Sequence, residues 1–135
     1  MEFNNNQPIY LQIADLLCNN ILQKKWLEDS KILSIRDIAV QMEVNPNTVL
    51  RTYSFLQDNG IIYNKRGIGY FVTPEGFSKT QTLKRDQFFN QDLPVFFKTI
   101  DMLEISIDDV MLFYTKFKKE SIDSVTAGSN KNEQF

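Results

Sequence analysis

The chain has 135 residues, 15 Lys plus Arg against 17 Asp plus Glu, a formal net charge of -2, no histidine and one cysteine. That length supports one compact domain, or a small domain with an appendage, and a composition 42% hydrophobic and 24% charged can bury a modest core. Without histidine there is no Ser-His-Asp triad, Cys-His dyad or His-ligated zinc, and one cysteine makes neither an internal disulfide nor a thiolate cage.

The start, Met1 to Gln7, is polar and Asn-rich, and no apolar run approaches the roughly 18 residues needed to span a bilayer, so a cytoplasmic protein without a membrane partner is expected. Pro8 opens the first periodic segment. Ile9, Ile13, Leu16, Leu17 and Ile21 recur at steps of three and four and share one face of a helix ending near Lys25. Cys18 lies inside it and reads as a small packing residue. After a break over Trp26 to Leu33, Ser34 caps a second helix whose inner face is Ile35, Ile38, Ala39 and Met42, with Asp37 at the third position of its first turn. Asn45-Pro46 is the clearest local signal: a cap side chain, then a proline at the first helical position, where a missing N–H does no harm. The third helix turns Val49, Tyr53 and Leu56 inward and stops at Asn59-Gly60. Two short strands, Ile61 to Asn64 and Tyr70 to Thr73, flank the glycine-containing turn Lys65-Arg66-Gly67-Ile68-Gly69. Helix, helix, helix, hairpin is the order of a winged helix-turn-helix.

Pro74-Glu75-Gly76 marks a boundary, giving a first domain over 1–76. Beyond it Phe89, Leu93, Phe96, Ile100 and Leu103 follow heptad spacing, a seam for packing against another helix, with Pro94 producing either a kink or a break capped by Asp92. Ser106 with Asp109 starts another helix carrying Val110, Phe113, Tyr114 and Phe117 on one side. The expected fold is mainly α with a small β-hairpin: an N-terminal winged helix-turn-helix, two antiparallel helices forming a dimerisation region over 77–120, and a disordered tail over 121–135. The aromatic cluster of the second region reads as packing and an intersubunit interface. About 45 residues are too few to build a ligand cavity as well, so no small-molecule effector and no cofactor is expected.

The ordered run Pro8-Ile9-Tyr10, Gln12-Ile13, Leu33-Ser34-Ile35-Arg36-Asp37-Ile38-Ala39, Val44-Asn45-Pro46-Asn47-Thr48-Val49, Arg51, Tyr53, Leu56, Gly60 and Gly67-Ile68-Gly69-Tyr70-Phe71-Val72 resembles the winged-helix DNA-binding domain of GntR-family bacterial transcription regulators. The start of the third helix and the short C-terminal part are similar to the YtrA-like branch, which implies a homodimer without a large effector domain. Lys24 and Asp29 stand where the family usually has glycine, and Ile32-Leu33-Ser34 replaces its usual Leu-Pro-Ser.

Duplex recognition needs donors aimed at phosphates and a helix end in the major groove. Asn47, Thr48, Leu50, Arg51 and Ser54 fall on the outer side of the third helix, whose free first-turn N–H groups add positive potential. Asn47 can pair with adenine, Arg51 with guanine or phosphate, and Leu50 can meet a thymine methyl. Ser34 and Arg36 at the second helix, Asn45 at the cap, and Lys65, Arg66 and Gly67 in the hairpin complete the DNA-binding set; the resemblance implies phosphate contacts for Arg36 and minor-groove or phosphate contacts for the hairpin. Over 31–73, Lys31, Arg36, Arg51, Lys65 and Arg66 outnumber Asp37, Glu43 and Asp58, a net +2. So few cations call for a two-fold dimer on a palindromic site. The expected function is a sequence-specific transcription regulator, a repressor, that binds double-stranded DNA. A protein-interaction module on the same scaffold is the alternative. An enzyme is not expected, because Asp108-Asp109 fit a helix start and have no catalytic companion.

Overall fold

The computed structural model describes residues 7–126. It divides after Arg85 into two compact units. In the first, α1 (Ile9–Leu22) follows Pro8, α2 (Ile35–Met42) follows Ser34, and α3 (Pro46–Asp58) follows Asn45. Both expected caps are formed: Ser34 Oγ accepts from the Asp37 N–H at 3.0 Å, and Asn45 Oδ1 from the Asn47 N–H at 2.8 Å. α1 and α2 both pack on α3, and Ile13, Leu17, Ile21, Ile38, Val49 and Leu56 meet at the centre. Tyr53 joins the layers. Its buried ring stands edge-on to Tyr70, and its hydroxyl donates to the Leu33 carbonyl at 2.6 Å, while burial pushes its pKa upward. Cys18 is a packing residue, as expected, with burial raising its thiol to about 12.

β1 (Ile62–Lys65) and β2 (Gly69–Val72) pair antiparallel from Ile62↔Val72 to Lys65↔Gly69. Residues 29–32, read in sequence only as a break, lie along the free edge of β2. The Asp29 N–H donates to the Val72 carbonyl, the Val72 N–H to the Ser30 carbonyl and the Ile32 N–H to the Tyr70 carbonyl. Lys24 and Asp29 keep left-handed backbones, with φ of 60° and 56°. The chain therefore retains the conformation that glycine adopts most easily while carrying a Cβ there. Asp29→Gly is expected to raise stability by about 1 kcal/mol, the relief of left-handed strain less the added freedom of the unfolded chain, measured as a higher urea midpoint at unchanged slope.

Sequence pattern placed the boundary at Gly76, but that glycine begins α4 (Gly76–Gln87). Any Cβ there would stand 2.5 Å from Val72 Cγ1, so glycine permits the helix to start against β2. Phe77 and Leu83 pack on the core of the first unit, Thr80 is fully buried, and Lys84 pairs with Asp15 at 2.9 Å. α4 has a weak sequence signal because its inward contacts are few and its remaining positions polar.

The second unit contains a π-helical turn (Phe88–Asp92), α5 (Leu93–Met102) and α6 (Ile107–Thr126). Of the two alternatives at Pro94, the break capped by Asp92 is not made. Asp92 keeps helical dihedrals and makes no side-chain cap; instead the wider turn absorbs the hydrogen bond that proline cannot donate. Ser106 Oγ accepts from the Asp109 N–H at 3.1 Å, as the capping pattern predicts. α6 runs through Thr126, so Ser121 to Thr126 are helical and the expected tail starts too early; its remainder, 127–135, lies outside the described residues. Among the described residues after Arg85, Ile100 alone is buried.

Candidate nucleic-acid interface

The exposed side of α3 is built by the inward turn of its partner face. With Val49, Thr52, Tyr53 and Leu56 fully buried, Asn47, Leu50, Arg51 and Ser54 are exposed and Thr48 half-buried. Leu50 leaves 47% of its surface open on this side. The first turn departs from expectation. Pro46 has no N–H, Asn47 N–H is held by Asn45 Oδ1, and the Thr48 and Val49 N–H groups both reach the Asn45 carbonyl. The backbone donors are thus engaged, and Asn45 acts as their cap. What α3 offers a duplex is its side chains and its dipole.

Ser34 is exposed beside α2, and because Oγ serves as an acceptor in its cap, the hydroxyl proton stays available for a phosphate oxygen. Arg36 is exposed, and neither Asp37 nor Glu43 forms an ion pair with it among the described residues. In the hairpin the Ile68 N–H donates to the Lys65 carbonyl at 2.8 Å, closing the turn. Gly67 takes a φ of 79°, and no atom beyond its own chain neighbours lies within 4 Å of where its Cβ would stand, so the tip is open to close approach. Lys65 lies over the Phe71 ring at 5.4 Å, and Arg66 and Ile68 are exposed. Lys31, counted in the sequence only as charge, comes beside the same hairpin: its Cε would be 3.0 Å from a Cβ at Gly69.

One neighbour of α3 has no role legible in the sequence. Tyr10, at the start of α1, carries the Arg51 guanidinium 4.0 Å above its ring centre, and Pro8, Ile9, Tyr10, Asn47, Thr48 and Arg51 line one shallow hollow. No short-range signal links residues so far apart in the chain. Of the expected dimerisation residues, Ile100 is buried, Leu93 and Val110 are half-buried, and Phe89, Phe96, Leu103, Phe113, Tyr114 and Phe117 are exposed. Among the described residues no cluster of acidic or thiol side chains could hold a metal ion, and no helix is long and apolar enough to cross a membrane.

Three helices closed by a two-stranded hairpin, with polar and cationic side chains on the third helix and on the hairpin, define a winged helix-turn-helix protein. No family model matches the chain. Individual proteins do. The HTH-type transcriptional regulator YhcF of Bacillus subtilis is 44% identical over 71 residues, 53% of this chain and 59% of YhcF. The HTH-type transcriptional repressor YtrA of the same organism is 35% identical over 66 residues, 49% of this chain and 51% of YtrA. The chain thus spans little more than half the length of these curated relatives. A GntR-family regulator from Bacteroides thetaiotaomicron has a crystal structure that superposes with a TM-score of 0.69 at 39% identity, covering 84% of this chain and 99% of that one. The AraR DNA-binding domain, solved in complex with operator ORR3, superposes with a TM-score of 0.50 at 27% identity over 54% of this chain and 88% of its own. The chain belongs to the GntR family of transcriptional regulators, as its sequence resemblance implied, with YtrA among its relatives. The family is not an enzymatic one.

Proposed function

We propose that this protein is a sequence-specific repressor that binds a palindromic DNA operator as a homodimer in the cytoplasm. The observation that carries the proposal is the set of exposed groups on one domain: Asn47, Leu50 and Arg51 on α3, Arg36 on α2, and Lys65 and Arg66 on the hairpin. A helix face with bidentate donors beside a basic hairpin matches what a duplex presents, base edges in the groove and phosphates on its rims. The AraR domain bound to its operator supports the same docking, and YtrA's description as a repressor supports the sign of regulation. Homodimerisation follows from two supports. The local net charge of +2 is too small for a tight monomeric complex, and the second unit leaves Phe89, Phe96, Phe113 and Phe117 exposed. A second copy covers that face and doubles the contacts on a two-fold site.

Mobility shift against random duplex at rising salt tests DNA binding and distinguishes it from a protein-interaction role. Binding that falls steeply with salt is expected, whereas absence of any salt-sensitive shift would favour the interaction module. Lys65→Ala or Arg66→Ala should weaken specific and non-specific duplex alike and flatten the salt slope by about one unit for each phosphate left without its cation in each half-site. A salt slope unchanged in both variants would remove the hairpin from the interface.

A further inference from the structure

In the proposed function Arg51 reads DNA from α3, yet its side chain rests on a residue of another helix. We propose that Tyr10 is a positioning residue that preorganises Arg51 for base recognition, so that the start of α1 takes part in sequence discrimination; the inference rests on α3 being the reading helix. The guanidinium carbon stands 4.0 Å from the Tyr10 ring centre. Stacking uses the flat face of the guanidinium and leaves its N–H donors pointing outward in the plane, where a guanine edge is met bidentately. An exposed arginine otherwise loses rotamer freedom on binding, and a stack already made in the free protein lowers that cost.

Tyr10 is itself held, through its backbone and through its ring. Thr52, fully buried on α3, donates its hydroxyl to the Tyr10 carbonyl at 2.7 Å, and the Tyr10 ring meets Phe55 edge-on at 6.3 Å. Tyr10 is therefore tied to the same helix one residue beyond Arg51 and again one turn along, which sets the stack in register with the reading surface. Asn47 and Thr48 share the hollow beside it.

The test uses the full chain, an operator recovered by selection from random duplexes, and a panel carrying every single base-pair substitution. Arg51→Ala should erase preference at one base pair per half-site. Tyr10→Leu should lower preference at that same pair by about two- to five-fold, leave non-specific duplex unchanged, and add nothing in the Arg51→Ala background. Tyr10→Phe keeps the ring and should keep the preference. If the leucine variant does not fold, Tyr10→Met removes the ring with a flexible side chain of similar reach and carries the same expectation. A loss spread equally over all duplexes, an effect at a different base pair, additivity with Arg51→Ala, or a phenylalanine variant as poor as leucine would each overturn the inference and leave the reading helix intact. Unchanged preferences in Arg51→Ala would remove Arg51 from base recognition and overturn the role of Tyr10 with it, while the Asn47→Ala, Arg51→Ala double variant tests whether α3 is the reading helix at all.

Discussion

An Asn47→Ala, Arg51→Ala double variant is expected to lose most of its discrimination between operator and scrambled duplex while keeping much of its affinity for non-specific DNA. The two residues stand one turn apart on the exposed side of α3; Arg51 has two donors for the two acceptors of a guanine edge, and the Asn47 amide has the donor and the acceptor that adenine N7 and N6–H require. The cost is on the order of 1 to 3 kcal/mol for each bidentate contact in each half-site, and a palindrome counts every contact twice. Cations at Arg36, Lys65 and Arg66 remain, so the sequence-independent part of binding should persist. Fluorescence anisotropy with both duplexes at one fixed salt concentration measures the ratio directly. Full discrimination in the double variant would move base recognition from α3 to the hairpin, where Ile68 stands exposed at the tip.

The second large effect concerns assembly. A chain ending after Gln87 should fold as a monomer and bind operator far more weakly than the full chain, because it keeps α4 and loses the exposed aromatic face of the second unit. Ending it after Gly76 instead would also strip Phe77 and Leu83 from the core and remove the Lys84 partner of Asp15. That shorter chain should be less stable than the one ending at Gln87 by on the order of 2 kcal/mol, chiefly from the missing apolar burial of two partly buried side chains. Sedimentation reports the assembly state and urea melts the difference in stability. A dimer that survives truncation at Gln87 would place the interface in the first unit.

Where function is encoded locally, the sequence was readable. Ser34 with Asp37, Asn45 with Pro46, and Ser106 with Asp109 announced three helix starts because a cap needs only residues two or three apart. The same short range exposed the outer face of α3, since Val49, Tyr53 and Leu56 fix which side turns inward. What stayed hidden depends on distant partners. Residues 30–32 lie along the free edge of β2 through backbone hydrogen bonds to partners some forty residues away, and Asp29 turns the chain into that edge with a left-handed backbone. α4 is held by Phe77, Thr80 and Leu83 against a core assembled elsewhere, and the Tyr10 stack joins two helices that the sequence separates by the whole of α2. At Pro94 the sequence correctly marked a disturbance and missed its form, because a π-helical turn is one of several ways to accommodate the missing N–H. The sequence pattern leaves the first-turn amides of α3 free for phosphate, yet Asn45, their cap, engages them through its side chain and its carbonyl.

Sequence-specific binding by a two-fold dimer is tested most directly by selection of bound duplexes from a random pool, followed by sequencing of the recovered fraction. The expected product is an inverted repeat whose half-sites lie about one helical turn apart or slightly less, with the strongest preferences at the pairs that Asn47 and Arg51 contact. Recovery of no enriched sequence, or of a single half-site without its inverted partner, would contradict it.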